Sequence, residues 1–69
     1  MSSLYRTTVI SWRDNLEEVW ESESLSQAAH SANTFALEDD EVKIDEVIQD
    51  ACGDYIVLRE VMGYVNVDD

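Results

Sequence analysis

At 69 residues the chain has room for one domain with a thin core, because a domain of this size buries only about 60% of the surface that its unfolded chain exposes. Hydrophobic residues make up 45% of it, which is too apolar for a disordered acidic tail, so we expect residues 1–69 to fold as a single domain. Sixteen acidic residues oppose four Lys and Arg, and a formal net charge of -12 argues against direct binding to nucleic acid.

The first two predicted elements are strands joined by a tight turn. Residues 4–12 are rich in β-branched and aromatic side chains, which favour a strand. Residues 13–15 contain Asp and Asn, which tolerate turn conformations. Residues 16–22 fit either a second strand or a helix whose apolar residues recur at steps of three and four. We prefer the strand.

A helix is the clearest predicted element. Ser24 and Gln27 have the capping-box spacing that satisfies free amide groups at a helix start. The apolar residues that follow repeat at steps of three and four and form one stripe: Leu25, Ala28, Ala29, Ala32, Phe35 and Ala36. The alanines are small enough to allow close docking of this helix on a sheet.

The second half of the chain predicts a hairpin. Residues 42–49 fit a strand with a bulge or a helix, and we favour the strand. A turn at 51–54 should lead into 55–62, the strongest strand signal, and Gly63 should kink or bulge the chain before a short edge strand at 64–67. The prediction is an α+β domain of order ββαββ, with one helix packed across an antiparallel sheet of about four strands.

The acidic residues fall into two blocks. One begins at Asp14 and the other at Glu38, and Lys43 is the only base inside either. Same-face residues of a strand are about 6.6 Å apart, a spacing comparable to that of nucleic-acid charges, and guanidinium groups pair with carboxylates and phosphates in the same forked geometry. The candidate partner-binding residues are Glu17, Glu18, Glu21, Glu23, Glu38, Asp39, Asp40, Glu41, Asp45, Glu46, Asp50 and Asp54.

Other interpretations of the acidity stay open. Acidic runs are commonly solvated surface, and an acid-rich chain with a single lysine also fits adaptation to high salt. The chain could instead be an interaction module that uses Trp12 or Tyr64 on an apolar patch. We expect at least one of Trp12 and Trp20 to be mainly buried.

Residues for catalysis or metal binding are few. A lone His30, a lone Cys52 and no glycine-rich phosphate loop predict no enzyme, no cofactor and no metal site. Because no internal disulfide can form and no basic-apolar leader or long apolar stretch is visible, we expect a cytoplasmic protein that does not bind membranes.

The small size, the absence of disulfides and the separated acidic runs, Glu17-Glu18 with Glu21 and Glu38 to Glu41, resemble the DNA-mimic inhibitors of phages and mobile elements. Within that group the chain is most similar to small anti-CRISPR proteins that act on type I systems, including type I-C. The resemblance implies a stoichiometric inhibitor in the host cytoplasm. It would block the DNA path on the large subunit of a Cascade-type surveillance complex. We expect a monomer. These inhibitors share no common sequence motif, so the resemblance assigns no role to any individual residue.

Overall fold

Four strands and one helix follow one another in the order ββαββ within residues 3–66, the part of the chain that the computed structural model describes. Their bounds are Leu4–Ser11 (β1), Leu16–Ser22 (β2), Leu25–Phe35 (α1), Glu41–Gln49 (β3) and Tyr55–Val65 (β4). The predicted α+β class and element order are confirmed. The two open alternatives are resolved, since residues 16–22 and 41–49 are strands.

The strands form one antiparallel sheet in the spatial order β2-β1-β3-β4. β1 lies between β2 and β3, so Thr7 is paired with Trp20 on one side and with Ile44 on the other. The β1–β2 and β3–β4 hairpins are therefore joined through their first strands, and β2 and β4 form the two edges. α1 packs against β1, β2 and β3. One face of the sheet is thus covered by the helix, and most of β4 lies beyond it.

Residues with positive φ mark the tight turns between elements. Asn15 (φ 56°) lies in the β1–β2 turn, Asp39 (φ 69°) in the α1–β3 loop and Gly53 (φ 90°) in the β3–β4 turn. Gly, Asn and Asp adopt this left-handed conformation more readily than other residue types. The predicted turns at 13–15 and 51–54 are confirmed.

α1 begins at the predicted cap. Ser24 has an extended backbone (φ -135°), and its side-chain oxygen accepts a hydrogen bond from the Gln27 N–H at 3.2 Å. At the other end Ala36 leaves the helical conformation, and its N–H donates to the Ala32 carbonyl at 2.9 Å. The capping residues that the sequence indicates therefore fix where the helix starts.

The core is a thin layer between α1 and the middle of the sheet. Its buried members are Val9, Ala28, Ala32, Ala36, Val42 and Ile44. The alanine face brings the helix so close to β1 that Thr7 Oγ1 donates to the Ala28 carbonyl at 3.3 Å. Phe35, the last residue of the helix, is 53% exposed and stacks on Trp20 with ring centroids 5.1 Å apart. It is not buried as the stripe predicts, because its partner lies on an edge strand.

The end of the chain differs from the prediction. Residues 55–65 form one continuous strand, so no separate strand starts at Tyr64. Gly63 pairs with Lys43 inside the ladder. The last residue of the predicted edge strand at 64–67 lies outside the described residues.

The bulges lie in β4 and not in β3 as predicted for residues 42–49, and the first falls two residues before Gly63, where a kink or bulge is predicted. The register shifts between Ile44 and Asp45, where Val61 is the extra residue on β4, and between Glu46 and Val47, where Leu58 is extra. A bulge re-aims a side chain locally. Val61 packs against the core cluster, which accounts for the first of the two bulges.

Truncating Val42 should destabilise the fold far more than truncating Val19. Val42 is fully buried in the core, whereas Val19 is 44% exposed on edge strand β2. We expect Val42→Ala to lower the free energy of unfolding by about 2–3 kcal/mol, since buried carbon atoms are removed and a cavity remains, and Val19→Ala by less than about 1 kcal/mol. Urea denaturation followed by circular dichroism measures both values. Equal losses would contradict the placement of the core.

Candidate functional site: the acidic edge of the sheet

The edge strand β2 carries carboxylates on both of its faces. Glu17 and Glu21 share one face, Glu18 lies on the other, and Glu23 follows the strand. All four are exposed. The Cα atoms of Glu17 and Glu21 are about 13 Å apart, given the rise of a strand. No Lys or Arg occurs in residues 14–42, so neither β2 nor α1 offsets these charges.

A small cavity joins the start of β2 to the α1–β3 loop. Its volume is about 110 Å³, and Asp14, Glu18 and Asp40 all line it. Glu38 and Asp39 are exposed in the same loop. The first acidic block and the start of the second therefore meet at one end of the sheet. We call the exposed carboxylates of this strand and this end the acidic edge: Asp14, Glu17, Glu18, Glu21, Glu23, Glu38 and Asp39.

Asp40 faces inward, although it belongs to the same acidic run. It is 4% exposed, and its Oδ2 accepts a hydrogen bond from the Leu37 N–H at 2.9 Å. Its backbone carbonyl accepts from the Asn66 N–H at 2.8 Å, and Asn66 Nδ2 donates to the Leu37 carbonyl at 3.0 Å. Asp40 therefore closes the loop and ties it to the residue after β4.

Glu41 and Asp45 also have neighbours within the fold. Trp12 Nε1 donates to Glu41 Oε2 at 3.2 Å, and the Trp12 side chain is otherwise 68% exposed. Asp45 is 6% exposed and is paired with Arg6 across the β1–β3 ladder. The buried Asp45 Oδ1 and Arg6 Nε each make no hydrogen bond within residues 3–66.

Glu46 is held by two donors. Arg59 Nε donates to its Oε1 at 2.8 Å and Ser3 Oγ to its Oε2 at 2.9 Å. These hydrogen bonds, that from Arg59 first, hold the pKa of Glu46 below its usual range, and the same contact raises the pKa of Arg59. The carboxylate is thus charged and already paired.

Asp50 and Asp54 lie at the β3–β4 turn, at the opposite end of the sheet from the α1–β3 loop. Asp50 Oδ1 accepts hydrogen bonds from the N–H groups of Cys52 and Asp54, both at 2.9 Å, so this carboxylate holds the turn. Asp54 is exposed. The second acidic block therefore does not form one patch, because its members lie at both ends of the sheet and in its middle.

Most of the basic side chains extend towards β4. Arg59 is on β4, Lys43 is paired with Gly63 of β4, and Arg6 Cζ lies 5.2 Å from the ring centroid of Tyr55 at the start of β4. Arg13 is the exception, with its Nε 3.8 Å from Asp14 in an exposed turn, where an ion pair is worth little. The sheet thus has one acidic edge and Arg59 on the other, while Lys43 and Arg6 lie on the inner strands, Arg6 between Glu21 and Asp45.

The residues considered for catalysis or metal binding lie apart. His30 is exposed in a shallow groove that Glu21 and Glu23 also line, and Cys52 is exposed at the β3–β4 turn. Within residues 3–66 no three His, Cys, Asp or Glu side chains are grouped so that they could hold a metal ion. Across the same residues no helix is long and apolar enough to cross a membrane.

Removing the Asp40 carboxylate should cost stability that removing Glu38 does not. Asp40→Ala leaves the Leu37 N–H without its partner, and we expect the free energy of unfolding to fall by about 1–3 kcal/mol. Glu38 is exposed in the same loop, so Glu38→Ala should change it by no more than about 0.5 kcal/mol. Urea denaturation of the two variants is the measurement. An unchanged midpoint for Asp40→Ala would refute the structural role.

Arg59→Gln should raise the pKa of Glu46 towards its usual value, because the strongest donor is lost. A carboxyl whose pKa is lower in the folded than in the unfolded state adds stability above the unfolded-state pKa, and loses it as pH falls through the folded-state pKa. The variant should therefore be less stable than the parent at neutral pH, and the difference should vanish in acid.

Two measurements test the effect: titration of the Glu46 side chain by NMR, and urea denaturation of both proteins from neutral pH down to the pH at which Glu46 is protonated. Arg13→Gln, which removes the same charge far from Glu46, is the control and should leave the pKa of Glu46 unchanged. A Glu46 pKa that is the same in the parent and in Arg59→Gln would show that the ion pair does not set it.

The acidic edge offers exposed oxygen acceptors, and within residues 3–66 Asp14 has donors beside it, Ser11 Oγ at 3.4 Å and Arg13 Nε at 3.8 Å. Such a surface can accept hydrogen bonds and ion pairs from Arg and Lys side chains of another protein. Sequence reasoning identified its residues from the acidic runs, but which of the acids are engaged inside the fold required the tertiary structure. No family model, no curated protein and no solved structure matches the chain.

Proposed function

We propose that the chain is a stoichiometric inhibitor that presents its acidic edge to the basic DNA-binding groove of another protein and so keeps DNA out. The observation that carries the proposal is that residues 14–42 contain no Lys or Arg and that their exposed acids lie along edge strand β2 and at one end of the sheet. Ordinary soluble surfaces mix charges of both signs. A single-sign edge of this kind is suited to a cationic partner.

The chemistry of the carboxylates supports mimicry of a nucleic acid, although they are more widely spaced than phosphates. Glu17 and Glu21, the same-face carboxylates of β2, have Cα atoms about 13 Å apart, an axial length over which one strand of DNA carries about four phosphates. Guanidinium groups bind carboxylates and phosphates with the same fork of donors. A groove that neutralises phosphates with Arg can therefore accept the side chains of Glu17, Glu18 and Glu21.

The contact set that we propose is narrower than the two acidic blocks. Asp40, Glu46 and Asp50 accept hydrogen bonds inside the fold, Glu41 accepts one from Trp12, and Asp45 is buried. The carboxylates of the acidic edge are exposed and are the ones available to a partner. Binding through them needs no cofactor and no catalytic residue.

The partner we propose is the large, DNA-recognising subunit of a type I CRISPR surveillance complex, as the resemblance to small anti-CRISPR proteins implies. The test is competition. A fluorescent target duplex bound to a purified type I-C surveillance complex should be displaced by the chain at near-equimolar amounts. Displacement should weaken steeply as salt rises, because exposed ion pairs are screened. A complex that still binds its DNA in excess chain at low salt would overturn this choice of partner.

Removing two charges from the acidic edge should weaken displacement more than removing two elsewhere. The pair Glu17→Gln with Glu18→Gln neutralises the edge, and Asp54→Asn with Glu60→Gln removes the same charge from exposed positions at the other side of the sheet. With about 0.2–1 kcal/mol for each exposed ion pair, the first variant should compete about 2- to 30-fold less well than the second.

The same displacement assay at low salt measures both variants, with circular dichroism to verify that each is folded. Equal competition by the two variants would mean that only net charge matters, as expected for a surface adapted to high salt. Binding that persists in both variants and changes little with salt would indicate an apolar contact instead of mimicry.

A further inference from the structure

β4 is an edge strand with exposed apolar side chains. Within residues 3–66 it pairs only with β3, and α1 does not cover most of it. Tyr55, Ile56, Val57 and Leu58 follow one another without a charge and are between 37% and 52% exposed. Three or four consecutive exposed apolar residues are unfavourable on a soluble surface unless they have a function.

The two edges of the sheet differ in how they are protected from other strands. Charged side chains on an edge strand prevent another strand from pairing with it. β2 has Glu17, Glu18 and Glu21 and no base, whereas β4 has one Arg and one Glu, so its net charge is zero. The bulges of β4 fall at Leu58 and Val61, which leaves Tyr55–Val57 as its regular apolar portion.

The charge distribution identifies the kind of molecule that can cover this strand. Two copies of a chain with a net charge of -12 repel each other over most of their surface. They repel least where the basic residues lie: Arg59 is on β4, Lys43 is on the adjacent β3, and the Arg6 side chain reaches Tyr55 from β1. Two β4 strands brought together match apolar with apolar side chains, whereas β4 against the β2 of another copy would desolvate its glutamates.

We propose that β4 is a dimerisation surface, on which Tyr55–Leu58 of two copies pack together across a two-fold axis. A closed two-fold dimer uses the same patch on both subunits and leaves no copy of that patch exposed. It also keeps both acidic edges on the outside, at opposite ends of the pair. This differs from the monomer expected from the sequence.

Sedimentation velocity from about 1 to 300 µM tests the proposal without a partner. The parent chain should form a dimer, and the dimer should strengthen as salt rises, because screening reduces repulsion between the copies. Binding to a basic partner should weaken under the same change, so the outcomes of the two proposals are distinguishable. A chain that is monomeric at every concentration, or that forms open polymers, overturns the dimer.

Val57→Lys should weaken the dimer at least about tenfold, since each subunit would place a charge in the contact. Val65→Lys is the matched control, because Val65 is 55% exposed near the other end of β4, beyond both bulges. The dissociation constant of the Val65→Lys dimer should stay within about threefold of the parent value. A dimer weakened by Val65→Lys but not by Val57→Lys would refute the assigned surface.

Hydrogen exchange of the parent chain tests the proposal without any variant, so the result does not depend on whether the variants fold. The backbone N–H groups of Tyr55–Leu58 should exchange with solvent more slowly as protein concentration rises, while those of β2 should not change. Concentration-dependent protection of β2 in place of β4 would overturn the proposal.

Discussion

Close packing of α1 on β1 and β3 through methyl groups holds the two hairpins of the sheet together at their shared β1–β3 ladder. The buried alanines of α1 face Val9, Val42 and Ile44, and the helix approaches β1 within hydrogen-bonding distance of a threonine side chain. A core this thin leaves little stability to spare in a chain that carries strong self-repulsion. The acids must therefore be placed where their mutual repulsion does not exceed the stability of the fold. Most of the exposed ones lie along one edge or at the ends of the sheet.

Several carboxylates contribute to the fold rather than oppose it. Asp40 and Asp50 accept backbone hydrogen bonds in two different loops, and Glu46 pairs with Arg59. Each of these contacts satisfies donors that would otherwise need water, and each gives the negative charge a local partner. The acidic residues of this chain therefore divide into a group that builds the loops and the sheet and a group that faces solvent on the acidic edge.

Local signals in the sequence predicted most of the fold. The cap at Ser24, the turn residues and the β-branched strands act over a few positions, and the elements they predict are confirmed. The bulges in β4 and the engaged carboxylates could not be predicted in this way. Trp12 and Glu41 are 29 residues apart, and Ser3 and Glu46 are 43 apart, so their contacts exist only after β1 and β3 have paired. The acidic runs consequently identified candidate residues without separating exposed from engaged ones.

The separation of charge between the two edges of the sheet gives the molecule a permanent electric dipole. A dipolar molecule experiences a torque in the field of a charged surface, and this torque turns it before contact is made. Near a cationic groove the β2 side would lead and the β4 side would trail, so a larger share of diffusive encounters would arrive in one orientation. Because docking of specific patches is normally slowed by the need for correct orientation, the asymmetry would raise the association rate without adding a single contact.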